Sequence, residues 1–119
     1  MKSIPIYDAS APIVCTIGDD EAAERVALLE RLRQALDHVE RTEYGLLLRF
    51  SDEPPIATDV QQFAVDEKRC CHFWGFEVGS RSGELTLRWD GPPGAVDLLD
   101  QLHSYFVGDE PLGALTALL

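Results

Sequence analysis

The chain has 119 residues, 45% of them hydrophobic, with 21 acidic and 10 basic side chains for a net charge of −11. That length holds one domain, expected to span 1–119 with its core over about 12–107. So negative a field repels phosphate backbones and anionic lipid surfaces, which excludes nucleic acid and membranes as expected partners. No apolar run approaches the roughly 18 to 20 residues of a membrane span. Met1 to Pro5 lacks the hydrophobic stretch of a signal peptide, so the cytoplasm is the expected compartment.

Residues 12–17, Pro-Ile-Val-Cys-Thr-Ile, alternate as a first strand, with Ile13, Cys15 and Ile17 on one face. Gly18-Asp19-Asp20 opens a helix with acidic residues at the positive end of its dipole. Val26, Leu29, Leu32, Leu36 and Val39 form one apolar stripe along residues 20–40. Residues 44–50 read as a second strand with Leu46, Leu48 and Phe50 inward and Arg49 outward. Pro54-Pro55 predicts a loop, and Thr58 to Gln61 has the spacing of a capping box for a second helix running to about Phe73.

A hairpin then places Phe76 and Val78 before a turn within Gly79–Gly83, and Leu85, Leu87 and Trp89 after it. Gly91-Pro92-Pro93-Gly94 breaks the chain. It lacks the Lys and Ser/Thr of a phosphate loop, and its prolines remove amide donors, so it reads as a turn. A third helix carries Val96 beside a stripe of Ala95, Leu98, Leu99, Leu102, Tyr105 and Phe106. The Leu-rich tail, 111–119, supplies Leu112, Leu115, Leu118 and Leu119, which either close the core or, if exposed, favour a homodimer.

The order is β-α-β-α-β-β-α. One apolar stripe per helix and one better apolar face per strand predict an α+β two-layer sandwich. Its expected form is a four-stranded mixed sheet with three helices on one face, or four if the tail is helical.

One segment breaks the pattern. Residues 63–76 read Phe-Ala-Val-Asp-Glu-Lys-Arg-Cys-Cys-His-Phe-Trp-Gly-Phe. At about 100° per helical residue, with Val60 at zero, Glu67 falls near 340° and Cys71 near 20°, with Cys70 near 280°. Glu67 thus occupies the middle of the apolar stripe, where a leucine is expected. A carboxylate there loses hydration and must find a partner or hold its proton. Arg49, Arg88 or a backbone amide could pair with it. Cys15 faces the helices from the first strand, so Cys15, Glu67, Cys70 and Cys71 can converge between the layers.

Three thiols and a carboxylate suit a thiophilic metal or metalloid ion better than a hard, oxygen-loving one. Zinc is not signalled, because there is no C-x-x-C pair and His72 falls on the polar side of the helix. A second reading is an enzyme or redox protein using Cys70 or Cys71 as its thiol, with Glu67 as proton acceptor. Lys68 and Arg69 are adjacent, but Glu67 and the negative field of the chain work against thiolate formation. A third is a non-catalytic domain for a small ligand or protein, whose cysteines only pack. His38 and His103 sit on separate elements without ligand spacing. The aromatic residues Tyr7, Phe73, Trp74, Phe76, Trp89, Tyr105 and Phe106 could line an apolar pocket, although core packing explains most of them.

Cys15-Thr16, Leu48-Arg49-Phe50, the run from Phe63 to Phe76 and Gly91 to Ala95 together resemble a family of small, largely uncharacterised bacterial proteins. The likeness covers most of residues 12–106, and Glu-x-x-Cys-Cys is its most specific part. It implies that Cys15, Glu67, Cys70 and Cys71 belong together. Members often carry proline after the cysteine pair, where this chain has His72.

Overall fold

The structure is a computed structural model that describes residues 5–8, 10, 19–70 and 72–108. The elements are α1 (Asp19–Ala35), β1 (Leu36–Arg41), β2 (Gly45–Ser51), α2 (Pro54–Cys70), β3 (Gly75–Arg81), β4 (Glu84–Asp90) and α3 (Val96–Val107). The strands form one four-stranded sheet in the order β1-β2-β4-β3. Its three pairings are antiparallel. The α+β class, the three helices and the strands β2, β3 and β4 are those expected. Among the described residues every strand pairing is antiparallel, where the sequence predicts a mixed sheet, and the order is α-β-β-α-β-β-α. The expected strand over 12–17 and the Leu-rich tail lie outside the described residues.

The fourth described strand is instead β1, from a stretch whose spacing predicts helix to residue 40. A β-bulge accounts for the difference. Leu36 pairs with Phe50 and Val39 with Leu48, with the register shifting between Leu36 and His38. Ordinary strand alternation would put residues three apart on opposite faces; one extra residue returns them to the same face. A bulged strand and a helix therefore satisfy the same spacing. The chain turns back at once, with Gly45 donating its N–H to Thr42 Oγ1 and accepting from the Thr42 N–H.

The start of α2 also differs. The helix begins at Pro54, one turn before the expected capping box at Thr58. The missing proline N–H costs nothing in a first turn, where amides have no intrahelical acceptor. Thr58 does not cap the helix; its hydroxyl donates back to the Pro54 carbonyl. The β3–β4 hairpin forms as expected, around Ser82 and Gly83 at φ 53° and 77°. Two residues in the left-handed region give the tight turn whose twist matches paired strands. Gly91–Gly94 is a turn, with a short 3-10 helix over Pro93–Ala95. Gly108, at φ 91°, terminates α3.

The inner sheet face carries Val39, Leu46, Leu48, Phe50, Leu85, Leu87 and Trp89, all buried. Leu28, Leu29 and Leu32 of α1, Val60 and Phe63 of α2, and Leu99, Leu102, Tyr105 and Phe106 of α3 are buried in the same core. Each fully buried leucine or phenylalanine contributes about 2 kcal/mol of transfer free energy. The opposite sheet face is polar: Arg49 bridges Glu40 at 3.1 Å and Glu84 at 2.9 Å. Val26 is only half-buried, because the buried side of α1 runs through Arg25, Leu28, Leu29 and Leu32. Among the described residues, no helix is long and apolar enough to cross a membrane.

Candidate functional site

Val60, Phe63, Ala64 and Glu67 follow the i, i+3, i+4, i+7 spacing of one helical face, and all four are buried. Glu67, at 4% exposure, therefore sits on the apolar face of α2, as its spacing predicts. Its partner is Arg25, also 4% exposed, rather than Arg49 or Arg88. Arg25 Nη1 lies 2.9 Å from Glu67 Oε1, close enough for an ion pair but outside hydrogen-bond alignment. Its Nη2 donates to the Asp66 carbonyl, which ties the guanidinium to the backbone of α2.

A second arginine bridges the same two helices. Arg31 Nε lies 3.2 Å from Asp59 Oδ2, at the more exposed end of the helix pair. Arg25 facing Glu67 and Arg31 facing Asp59 make α1 and α2 antiparallel. The N-terminal end of α1 is thereby at the C-terminal end of α2. Loss of hydration raises the pKa of Glu67 above the ordinary carboxylate value; the charge of Arg25 works against that shift without cancelling it.

The end of α2 is closed by Lys68, whose ammonium donates to the carbonyls of His72 at 2.6 Å and Trp74 at 2.7 Å. Those bonds fix the turn from helix to β3. Beyond the turn, the Asp8 N–H donates to the Phe73 carbonyl at 3.2 Å. The Ile6 N–H donates to Asp90 Oδ2 at 3.1 Å. Residues 5–8 are thus held beside the segment that follows the cysteine pair.

Cys15, Cys71 and the side chain of Cys70 lie outside the described residues; Cys70 is the last residue of α2. Among the described residues, no three histidine, cysteine or acidic side chains are grouped to hold a metal. Glu67 is the one expected site residue whose side-chain setting is described. His72 is an exposed turn residue. The aromatic side chains pack on one another: Trp89 has Phe76 at 5.2 Å and both Phe63 and Trp74 at 5.3 Å. Tyr105 donates its hydroxyl to Glu30 at 2.8 Å beneath the Arg33 guanidinium.

Arg25 is the residue that sequence reasoning missed. Its signal was present: it precedes Leu28, Leu29 and Leu32 by three, four and seven positions, on the same helical face. Two opposite charges, each on an otherwise apolar helix stripe, are a pair in waiting. Comparisons with protein families, with curated proteins and with solved structures find no match to this chain.

Proposed function

We propose that the protein binds a thiophilic metal or metalloid ion through Cys15, Cys70 and Cys71, with Glu67 beside them. The observation that carries this reading is where the ends of the Cys15 segment are held. On one side, Asp8 is bonded to the Phe73 carbonyl, three residues beyond Cys70. On the other, Arg25 fixes α1 against Asp66 and Glu67, so α1 begins beside the end of α2. Cys15 is four residues from Asp19, a reach of at most about 14 Å even when fully extended. A reach this short is compatible with Cys15 approaching the end of α2, which supports the reading.

Charge points the same way. A chain at −11 attracts cations and repels anionic ligands. Coordination requires thiolates, so each thiol gives up its proton as it binds the ion. Of the two roles open to Glu67, ligand or proton acceptor, the second fits better, since Arg25 already occupies Oε1. Burial makes this carboxylate more basic than usual, which suits it to take a proton from a neighbouring thiol.

The test is a titration of fully reduced protein with cadmium and arsenite, read as ultraviolet thiolate-to-metal absorption. Saturation at one equivalent of cadmium, lost in Cys71→Ser and in the triple serine variant, is expected. A wild-type response no larger than that of the folded triple variant would refute the reading. One cysteine alkylating far faster than the other two in ion-free protein would favour the thiol-enzyme reading instead.

A further inference from the structure

We infer that residues 5–8 form a strap, latched on the buried carboxylate of Asp90, that positions the cysteine-bearing end of α2 for ion binding. This inference rests on the ion-binding reading above and deepens it, by naming residues away from the thiols that set their affinity.

Two positions break the local rules of their strands, and they face each other. Gly75 opens β3, although glycine weakens a strand and has no side chain to pack. Asp90 closes β4 with a carboxylate that is 0% exposed, where lost hydration is costly unless hydrogen bonds replace it. The two are direct cross-strand partners. The strap accounts for both. The Ile6 N–H donates to Asp90 Oδ2 across 84 positions of sequence, and Arg88 Nη2 donates to the same oxygen at 2.7 Å. A Cβ at position 75 would run into the backbone of Ile6 and Tyr7, so glycine leaves that space to the strap. Tyr7 adds a ring contact with Tyr44, centroid to centroid 6.1 Å.

The strap in turn holds the stretch that leaves α2. The carbonyls of His72 and Trp74 accept from Lys68, and the Phe73 carbonyl between them accepts from the Asp8 N–H. Gly75 then lies against Ile6. Every residue from 72 to 75 is therefore fixed by a contact from outside the turn. Lys68 belongs to α2 and closes the turn onto its own helix. The strap ties the same turn to β4, through Asp90. Cys70, the last residue of α2, thus ends a helix whose exit path is held from two independent sides. Losing an outer contact that orients metal ligands costs about 10- to 100-fold in affinity. Asp90 works through Ile6 and the backbone of the turn rather than on a ligand, so the lower figure applies. It is a positioning residue.

The experiment is a cadmium titration of the full chain in competition with a chelator, read by thiolate-to-metal absorption, on the wild type and three variants. Ile6→Pro removes the donor to Asp90. Gly75→Ala sets a methyl group against the strap backbone. Asp90→Asn keeps an acceptor for the Ile6 N–H. Ile6→Pro and Gly75→Ala should each bind cadmium about tenfold more weakly. Amide exchange should quicken over residues 72–75 and stay unchanged at the centre of β2, whereas general destabilisation quickens both. Asp90→Asn should stay close to the wild type; a loss as large as in Ile6→Pro would overturn the assignment to Asp90. Unchanged cadmium affinity in folded Ile6→Pro and Gly75→Ala protein would overturn the inference and leave the thiol site standing. A wild type that binds no cadmium would overturn both. Loss of the fold in both disruptive variants, by circular dichroism, would also overturn the inference, since the strap would then be part of the core.

Discussion

Replacing Arg25 with methionine isolates the charge buried between α1 and α2. The substitution keeps much of the side-chain volume but leaves Glu67 without its counter-ion, at 4% exposure and on an apolar helix face. Removing one member of a buried pair costs about 3–5 kcal/mol, because the remaining charge has no compensation. For a chain of this size, at about 4 °C per kcal/mol, that is a fall in Tm of roughly 12–20 °C. The loss depends on pH. Glu67 has a folded-state pKa above its ordinary value, so in the window between the two the native state binds more protons than the unfolded chain. Its stabilising contribution is complete below the unfolded pKa and is lost as pH rises through the folded one. Without Arg25 the folded pKa moves higher still. Urea denaturation should therefore show the smaller cost at the acid end of the range, where a raised pKa favours protonated Glu67. The cost should grow as pH rises and ionisation of Glu67 becomes favoured. The double variant Arg25→Met/Glu67→Leu should recover to within about 1 kcal/mol of wild type. A pH-independent loss below about 1 kcal/mol in the single variant, the size of an exposed ion pair, would refute this account of the contact.

Three further substitutions test other parts of the fold. Gly83→Ala forces a side chain onto a backbone at φ 77° and should cost about 1 kcal/mol in urea denaturation, with the fold retained. Tyr105→Phe removes the hydroxyl bond to Glu30 and should cost about 1 kcal/mol. In the wild type, burial and Glu30 raise the Tyr105 pKa, so Tyr105 should ionise above the usual tyrosine range in an ultraviolet titration. Lys68→Met uncouples the end of α2 from the carbonyls of His72 and Trp74, and should speed amide exchange over residues 72–75 more than in the centre of β2.

The sheet and helices were legible where a pattern admitted one reading. Leu46, Leu48 and Phe50 alternate within a short run, and all three are buried opposite Trp89, Leu87 and Leu85 of β4. Leu99, Leu102, Tyr105 and Phe106 step by three, three and one and line one side of α3. Patterns with two physical solutions misled. Leu36 and Val39 share a face in a helix and equally in a strand bulged between them. Pro54-Pro55 reads as a helix stop, yet prolines fit a first turn as well as a loop. At the candidate site, the anomaly at Glu67 was visible because a carboxylate among Val60, Phe63 and Ala64 breaks the rule of its own helix. Its partner was not, since pairing is a property of how α1 meets α2 and no single-helix pattern encodes it. Arg49 and Arg88 were the arginines expected near Glu67; both instead make ion pairs with acidic residues of the sheet or its adjoining strands.

The most direct test of the proposed site is the protection of its thiols. Fully reduced protein would be treated with N-ethylmaleimide, with and without one equivalent of cadmium, and the labelled cysteines located by mass spectrometry. Binding at a shared site predicts that Cys15, Cys70 and Cys71 are shielded together and become reactive together when a chelator removes the ion. Labelling of all three at rates unchanged by cadmium would contradict it.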